Sequence, residues 1–257
     1  MTGMVVLLVA ALLGGCSTLR ATPPVTPLAS DAAWSWNDVL GRRVDEGGRV
    51  DFRGIAADRG PLEMVVARIG LSAPGNDPAA FPTRADALAF HVNAYNALAM
   101  YNVVRSGIPE RLNLLDRVEF FKLTSVVVGG QAISLYDYEN DVIRPLGEER
   151  VHFALNCMSV SCPRLPRGPF TAANLDGELD DATRLFLAEP RNVQVDDAGR
   201  VVRLSAIFDF YEADFLKRAP SLVAWVNRYR AEPIPADYRV EFLPYDWTIN
   251  AQPRKPL

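Results

Sequence analysis

One long helical stretch limits the folds open to this chain more than any other feature. Thr83-x-x-Asp86 has the pattern of a capping box, in which a side chain at each end of the motif accepts the other's backbone N–H. Beyond it Leu88, Val92, Tyr95, Ala99 and Val103 recur at helical spacing. A helix is therefore predicted to about Arg105, with Gly107 to end it.

The neighbouring segments are shorter and mixed in type. Upstream, residues 34–44 read as an amphipathic helix and Gly47-Gly48 as a turn before Val50-Asp51-Phe52. Pro61 suits a first helical position ahead of the stripe Leu62, Val65, Val66 and Ile69. Downstream, residues 121–135 carry a hairpin signal around Gly129-Gly130. Ser134-x-x-Asp137 caps a short helix that Pro145 should terminate. Residues 151–157 suit a buried strand, followed by a Pro-rich loop to Phe170 and a helix over 171–188. A second hairpin, 193–195 with 201–204, turns at Asp196-Asp197-Ala198-Gly199. Helices at about 209–218 and 220–230 precede a last strand at 240–243. Helices and mostly antiparallel hairpins without βαβ alternation define an α+β class. No internal repeat or second linker divides the chain, so one domain is expected over 31–250, with a tail at 251–257.

The N-terminus reads differently. Residues 5–13 form an apolar run far too short to span a bilayer of ~30 Å, but of signal-peptide length. Leu13-Gly14-Gly15-Cys16 follows, and it resembles the lipobox of bacterial lipoproteins. The resemblance implies a signal peptide over 1–16, diacylation of Cys16 and cleavage before it. Two acyl chains anchor stably where one is marginal, each buried CH₂ contributing about 0.8 kcal/mol. Residues 17–30, rich in Pro, Thr and Ser, read as a disordered tether. Ser17, in place of the Asp that resembles an inner-membrane retention signal in enteric bacteria, favours the outer membrane, with the domain facing the periplasm. Net charge is −4 with no Lys/Arg run in the mature chain, which argues against nucleic-acid binding.

Several segments behind the tether resemble domain-of-unknown-function family 547. They are Asn93-Ala94-Tyr95-Asn96-Ala97, Ile133-Ser134-Leu135-Tyr136-Asp137 and Arg150-Val151-His152-Phe153-Ala154-Leu155-Asn156-Cys157, with Ser161-Cys162-Pro163 close behind. Phe208-Asp209-Phe210-Tyr211 with Asp214-Phe215, and Tyr245-Asp246-Trp247-Thr248-Ile249-Asn250, complete the set. The resemblance covers about residues 50–250 and implies a fold and a cell-envelope context, but no established activity. The chain departs from the family at His91, where a large aromatic is usual, and at Met158, where a small residue is common.

Lipidation of Cys16 would leave Cys157 and Cys162 as an even pair in an oxidising compartment. One reading is a disulfide, worth ~2 kcal/mol for so short a loop; the other is a functional thiol. On a strand over 151–157, His152 and Cys157 would face opposite ways, so a His–Cys pair would require the chain to bend, and Cys162 is as good a partner for His152. Two His and two Cys at this spacing match no zinc pattern, so no metal is expected. No Gly-rich phosphate loop, nucleotide fingerprint or nucleophile elbow is present, so no cofactor is expected.

Polar residues within apolar patterns mark a candidate cleft. Asn93, Tyr95 and Asn96 on the long helix, with His91 and Trp247, would form its polar wall, or the asparagines would hydrogen-bond buried loop backbone near 157–163. Asp246 is a candidate to orient His152, whereas Asp209, Glu212 and Asp214 read as acids favoured by a helix start. Three functions remain open. The favoured one is a lipid-anchored binding or structural module for an envelope protein or wall component. The others are a thiol-dependent hydrolase or transferase using Cys157 or Cys162 with His152, and a redox protein cycling the two cysteines.

Overall fold

A computed structural model describes residues 36–253, together with the backbone of Leu19 and Arg20. Residues 1–16, read above as a signal peptide ending at Cys16, and all of the expected tether but Leu19 and Arg20 lie outside the described residues, as do residues 254–257. The architecture is a single α+β domain.

The N-terminal helices are short, and each is fixed by a local signal. Helix α1 (Trp36–Arg43) buries Val39 and Leu40. Asp51, which the sequence places after a turn, caps a helix α2 (Phe52–Ala57) by accepting the Gly54 N–H. Helix α3 (Gly60–Leu71) carries Pro61 in its first turn and buries Leu62, Val65, Val66 and Ile69, the expected stripe. Helix α4 (Arg84–Arg105) forms both halves of the Thr83–Asp86 capping box, and Gly107 beyond it has a φ of +82°. Nearly every side chain of α4 from Leu88 to Val104 is buried, so it is the axis on which the larger core is assembled.

The first hairpin pairs β2 (Thr124–Val128) with β3 (Gln131–Ser134), and a two-residue strand β1 (Leu19–Arg20) runs parallel to β2. Gly129 turns the hairpin at a φ of +53°; a Cβ there would lie 2.7 Å from Asn76 Oδ1 and 2.8 Å from Ala73 Cβ, so no side chain fits. Ahead of the hairpin, Asn113 and Asp116 cap α5 (Leu114–Val118), which continues into a π-helical turn Glu119–Leu123. After it, Ser134 caps α6 (Leu135–Asp137) as expected, and a second π-helical turn follows at Tyr138–Ile143. Pro145 does not terminate the helical run. It sits inside a 3₁₀ turn (Arg144–Leu146), and Gly147, at a φ of +70°, is the stop.

Residues 151–157 are not a strand. Glu149–Phe153 forms a 3₁₀ helix opened by Glu148, which accepts the Arg150 N–H, and the chain then loops to Cys157. The apolar alternation misleads because this segment is buried on all sides: Val151, Ala154 and Leu155 join the core around α4, while Phe153 joins a second core. That second core packs Phe153, Phe186, Phe208, Phe215 and Trp225, their rings 4.8–5.9 Å apart in tilted and edge contacts. Around it stand α7 (Leu175–Ala188), which begins later than residue 171, and the second hairpin β4 (Val193–Asp196) with β5 (Val201–Ser205). Short helices α8 (Ile207–Phe210), α9 (Glu212–Leu216) and α10 (Leu222–Val226) replace the two longer ones expected. Strand β6 (Arg239–Leu243) adds to β5 in parallel, so among the named strands the antiparallel ladders are those of the two hairpins.

A C-terminal strap closes the molecule. The Leu112 N–H donates to Trp247 O, Val160 N–H to Thr248 O, and Asn250 N–H to Met158 O. Ala251 bridges to Val50 and the Gln252 N–H donates to Val50 O, so the start of the tail is hydrogen-bonded into the fold.

Candidate functional site

Cys157 and Cys162 flank a turn whose shape is set by buried polar groups. Asn96 on α4 donates to Ala154 O (2.9 Å) and accepts the Asn156 N–H (2.7 Å). Asn156 in turn donates to Pro163 O (2.6 Å) and accepts the Met158 N–H (2.7 Å), tying both ends of the turn together. Met158, fully buried, adopts a φ of +69°, a conformation unfavourable for a side chain with a Cβ. It makes a left-handed corner between the two cysteines.

The corner brings the sulfurs to 2.7 Å of each other as free thiols, not as the bonded pair that the cysteine count suggests. The Cys157 N–H donates to Cys162 Sγ (3.1 Å). The Tyr245 hydroxyl, from the strap, lies 3.4 Å from Cys157 Sγ and 3.2 Å from Cys162 Sγ. The two thiols are unequal. The hydrogen bond from Cys162 lowers Cys157 to about 7, aided by Ser159 and Tyr245 against the opposing effect of burial. Burial, and then the neighbouring Cys157, push Cys162 upward. Cys157 is partly exposed and Cys162 is buried.

A charged set stands nearby. His152 Nε2 donates to Asp214 Oδ2 (3.1 Å), and Arg144 Nε (2.7 Å) and Lys217 Nζ (2.9 Å) donate to the same carboxylate. These donors, His152 first, hold the Asp214 carboxyl well below the usual carboxylate range. Tyr211 stacks on His152 with ring centroids 3.8 Å apart, and it and Tyr95 both hydrogen-bond the Glu139 carboxyl. His152 Nδ1 is buried and makes no hydrogen bond.

The two cysteines, Tyr245, His152, Arg144, Tyr211, Tyr95 and Glu139 line one open cleft of about 480 Å³, within the size range of small-ligand sites. Its floor holds the cysteines, Tyr95, Glu139 and His152. Leu114, Val118, Phe121 and Phe210 add apolar lining, with Trp247 in edge contact with Phe121 and tilted against Tyr245.

The structure gathers only part of what the sequence proposes. Cys157, Cys162, His152, Tyr95 and Trp247 share the cleft. Both cysteines and His152 come together because the chain bends, but neither ring nitrogen is hydrogen-bonded to a sulfur. Asn93 and Asn96 clamp backbone instead: Asn93 donates to Phe170 O and accepts the Phe170 N–H, beside the clamp of Asn96 on 154–156. His91 is buried outside the cleft, where it accepts from the Tyr138 hydroxyl (2.7 Å), and burial lowers it to about 4. Asp246 is exposed and caps the Thr248 N–H; the acid that orients His152 is Asp214. Asp214, Arg144, Tyr211 and Glu139 escaped the sequence reading.

The fold and cleft define an α+β domain with a paired-thiol site. Residues 80–187 match the model of the family described as "Protein of unknown function, DUF547", a segment under half of the chain that contains α4, both cysteines and His152. No curated protein and no solved structure shows significant similarity to the chain.

Proposed function

We propose that the cleft is a dithiol site for thiol–disulfide exchange, in which Cys157 attacks and Cys162 resolves. The observation that supports it is the unequal pair: a partly exposed, acidified Cys157 in contact with a buried, less acidic Cys162, under one tyrosine hydroxyl. A thiolate is the nucleophile, and a thiol whose pKa lies near ambient pH is the best attacking group. The Cys157 thiolate attacks one sulfur of a substrate disulfide, forming a mixed disulfide and releasing the first substrate thiolate, which takes up a proton. Cys162, deprotonated, then attacks Cys157 Sγ and releases the second substrate thiol. The protein dithiol becomes a disulfide and the substrate disulfide becomes a dithiol, two electrons passing between them. The reverse sequence oxidises a substrate.

Alkylation of reduced protein as a function of pH tests this. Cys157 should react with an inflection near 7, and Cys162→Ala should raise that inflection by removing the donor that lowers it. Wild-type Cys157 alkylating no faster than a cysteine in denatured protein would refute the assignment.

A second reading, acyl transfer through a Cys157 thioester, draws on the His152–Asp214 pair in the same cleft. It ranks lower because His152 is not hydrogen-bonded to the sulfur it would have to deprotonate. Cys162→Ser separates the two: it abolishes completed exchange but leaves acyl transfer intact. A non-catalytic binding module would tolerate Cys157→Ser without loss of its ligand.

The domain's setting is read from its N-terminus. The segment Leu13-Gly14-Gly15-Cys16 supports a lipid-anchored envelope protein facing the periplasm, with the outer membrane favoured and an envelope protein or wall component as partner. Labelling with a radioactive fatty acid should mark the wild type and not Cys16→Ala; an unlabelled wild type would remove the anchor.

A further inference from the structure

The cleft that holds the thiols has a wall and a charge that exchange chemistry alone does not require. On α5, Leu114 and Val118 are one turn apart and both line the cleft, yet they are 67% and 40% exposed. Phe210, also in the lining, is 48% exposed. Apolar side chains left open around a concave site mark a place where apolar ligand surface is buried.

The charges on the same segment point the same way for the rest of the ligand. Arg117 and Lys122 line the cleft, and neither has a carboxylate partner among the described residues. Arg117 lies over the Trp247 ring at 4.7 Å and Lys122 over the Tyr136 ring at 4.2 Å, contacts that hold the cations in place without neutralising them. The Nε of Arg117 is buried and makes no hydrogen bond. Of the other charges of the cleft, Arg144 is paired with Asp214, and the Glu139 carboxyl is hydrogen-bonded by two tyrosines without an ion pair among the described residues. Asp116 and Glu119, beside these cations in sequence, line a separate pocket of about 320 Å³. With Arg117 and Lys122 against the single Glu139, the balance of unpaired charge lining the cleft is positive.

We propose that the cleft takes a small disulfide with an apolar body and an anionic group, an alkyl carboxylate bearing the disulfide being the simplest form. The proposal rests on the dithiol reading and supplies its substrate class. The apolar body lies against Leu114, Val118 and Phe210, the carboxylate pairs with Arg117 and Lys122, and the disulfide meets Cys157.

The test uses the full reduced chain with four disulfides: lipoate (apolar, anionic), its neutral amide lipoamide, cystamine (cationic), and glutathione disulfide (anionic, polar). Rates are read as protein disulfide formed, and the mixed disulfide is trapped in Cys162→Ser for mass spectrometry. Octanoate, which has no disulfide, reports binding through Trp247 fluorescence, with Trp247→Phe as control. Lipoate should react about tenfold faster than lipoamide, a single charge contact's worth, and faster still than cystamine or glutathione disulfide. Arg117→Gln with Lys122→Gln should bring the lipoate-to-lipoamide ratio to about one. If the double variant fails to fold, the exposed Lys122→Gln alone should lower the ratio. Equal rates for all four disulfides, or a preference for glutathione disulfide, would overturn the substrate class and leave the exchange reading standing. Octanoate binding with no exchange on any disulfide would overturn the exchange reading, and the disulfide substrate with it.

Discussion

Two asparagines on one helix, both buried, should respond to substitution in opposite ways. Asn96 is 1% exposed and its side chain serves two backbone groups that have no other partner, Ala154 O and the Asn156 N–H. Asn96→Ala leaves both buried and unpaired. At about 1–3 kcal/mol for each unsatisfied group, the loss should be about 2–6 kcal/mol. That is a large share of a domain's usual stability of about 5–15 kcal/mol. Asn102, a turn and a half further along, is 3% exposed, and neither its Oδ1 nor its Nδ2 is hydrogen-bonded. Asn102→Leu, close in volume, removes a buried polar group that has nothing to lose, so stability should stay level or rise. Urea unfolding followed by circular dichroism and, independently, by tryptophan fluorescence measures both. Because Asn96 also fixes the turn between the thiols, its loss should change the pH dependence of Cys157 alkylation, which Asn102→Leu should not. An Asn96→Ala penalty no greater than that of Asn102→Leu would refute the view that the α4 amide holds the cysteine turn.

Other outcomes follow from the same geometry. The Asp214 carboxyl is depressed in the folded state, so its contribution is complete above the unfolded carboxylate range and is lost as pH falls below about 4; Asp214→Asn should flatten that acid limb in a pH series of unfolding midpoints. His91 is depressed to about 4, so the unfolded chain binds the proton first and stability should decline as pH drops from about 6.5 toward 4. His91→Phe should remove that decline, and its persistence in the variant would assign it to another group. Gly129→Ala should lower the melting temperature, since both its φ and its close neighbours exclude a side chain.

The elements legible in the sequence are those set by local chemistry. Thr83 with Asp86, Ser134 with Asp137 and the Gly129-Gly130 turn each act within a few residues, and each appears as read. The failures lie where tertiary surroundings decide. Residues 149–153 are covered on both faces by two cores, so period-two hydrophobicity carried no information about backbone shape. In the site, the cysteines and His152 were visible because their types are rare and reactive. Asp214 was not, because an acid at a helix start has a sufficient local explanation, and its 62-residue separation from His152 leaves no local trace. Asn96 and Asn102 look alike in sequence and differ only in what the fold puts opposite them.

The strap has a consequence for the order in which the protein matures. Tyr245 touches Cys157 across 88 residues, and Asn250 reaches Gly48 across 202. A chain synthesised from its N-terminus therefore presents both thiols well before the Tyr245 hydroxyl that contacts them. Contacts so distant in sequence also form late in folding. During that interval the cysteines are open to any oxidant or foreign thiol they meet, and a mixed disulfide captured then would keep the strap from seating. Folding of this chain thus sets closure of the strap against premature chemistry at the two cysteines.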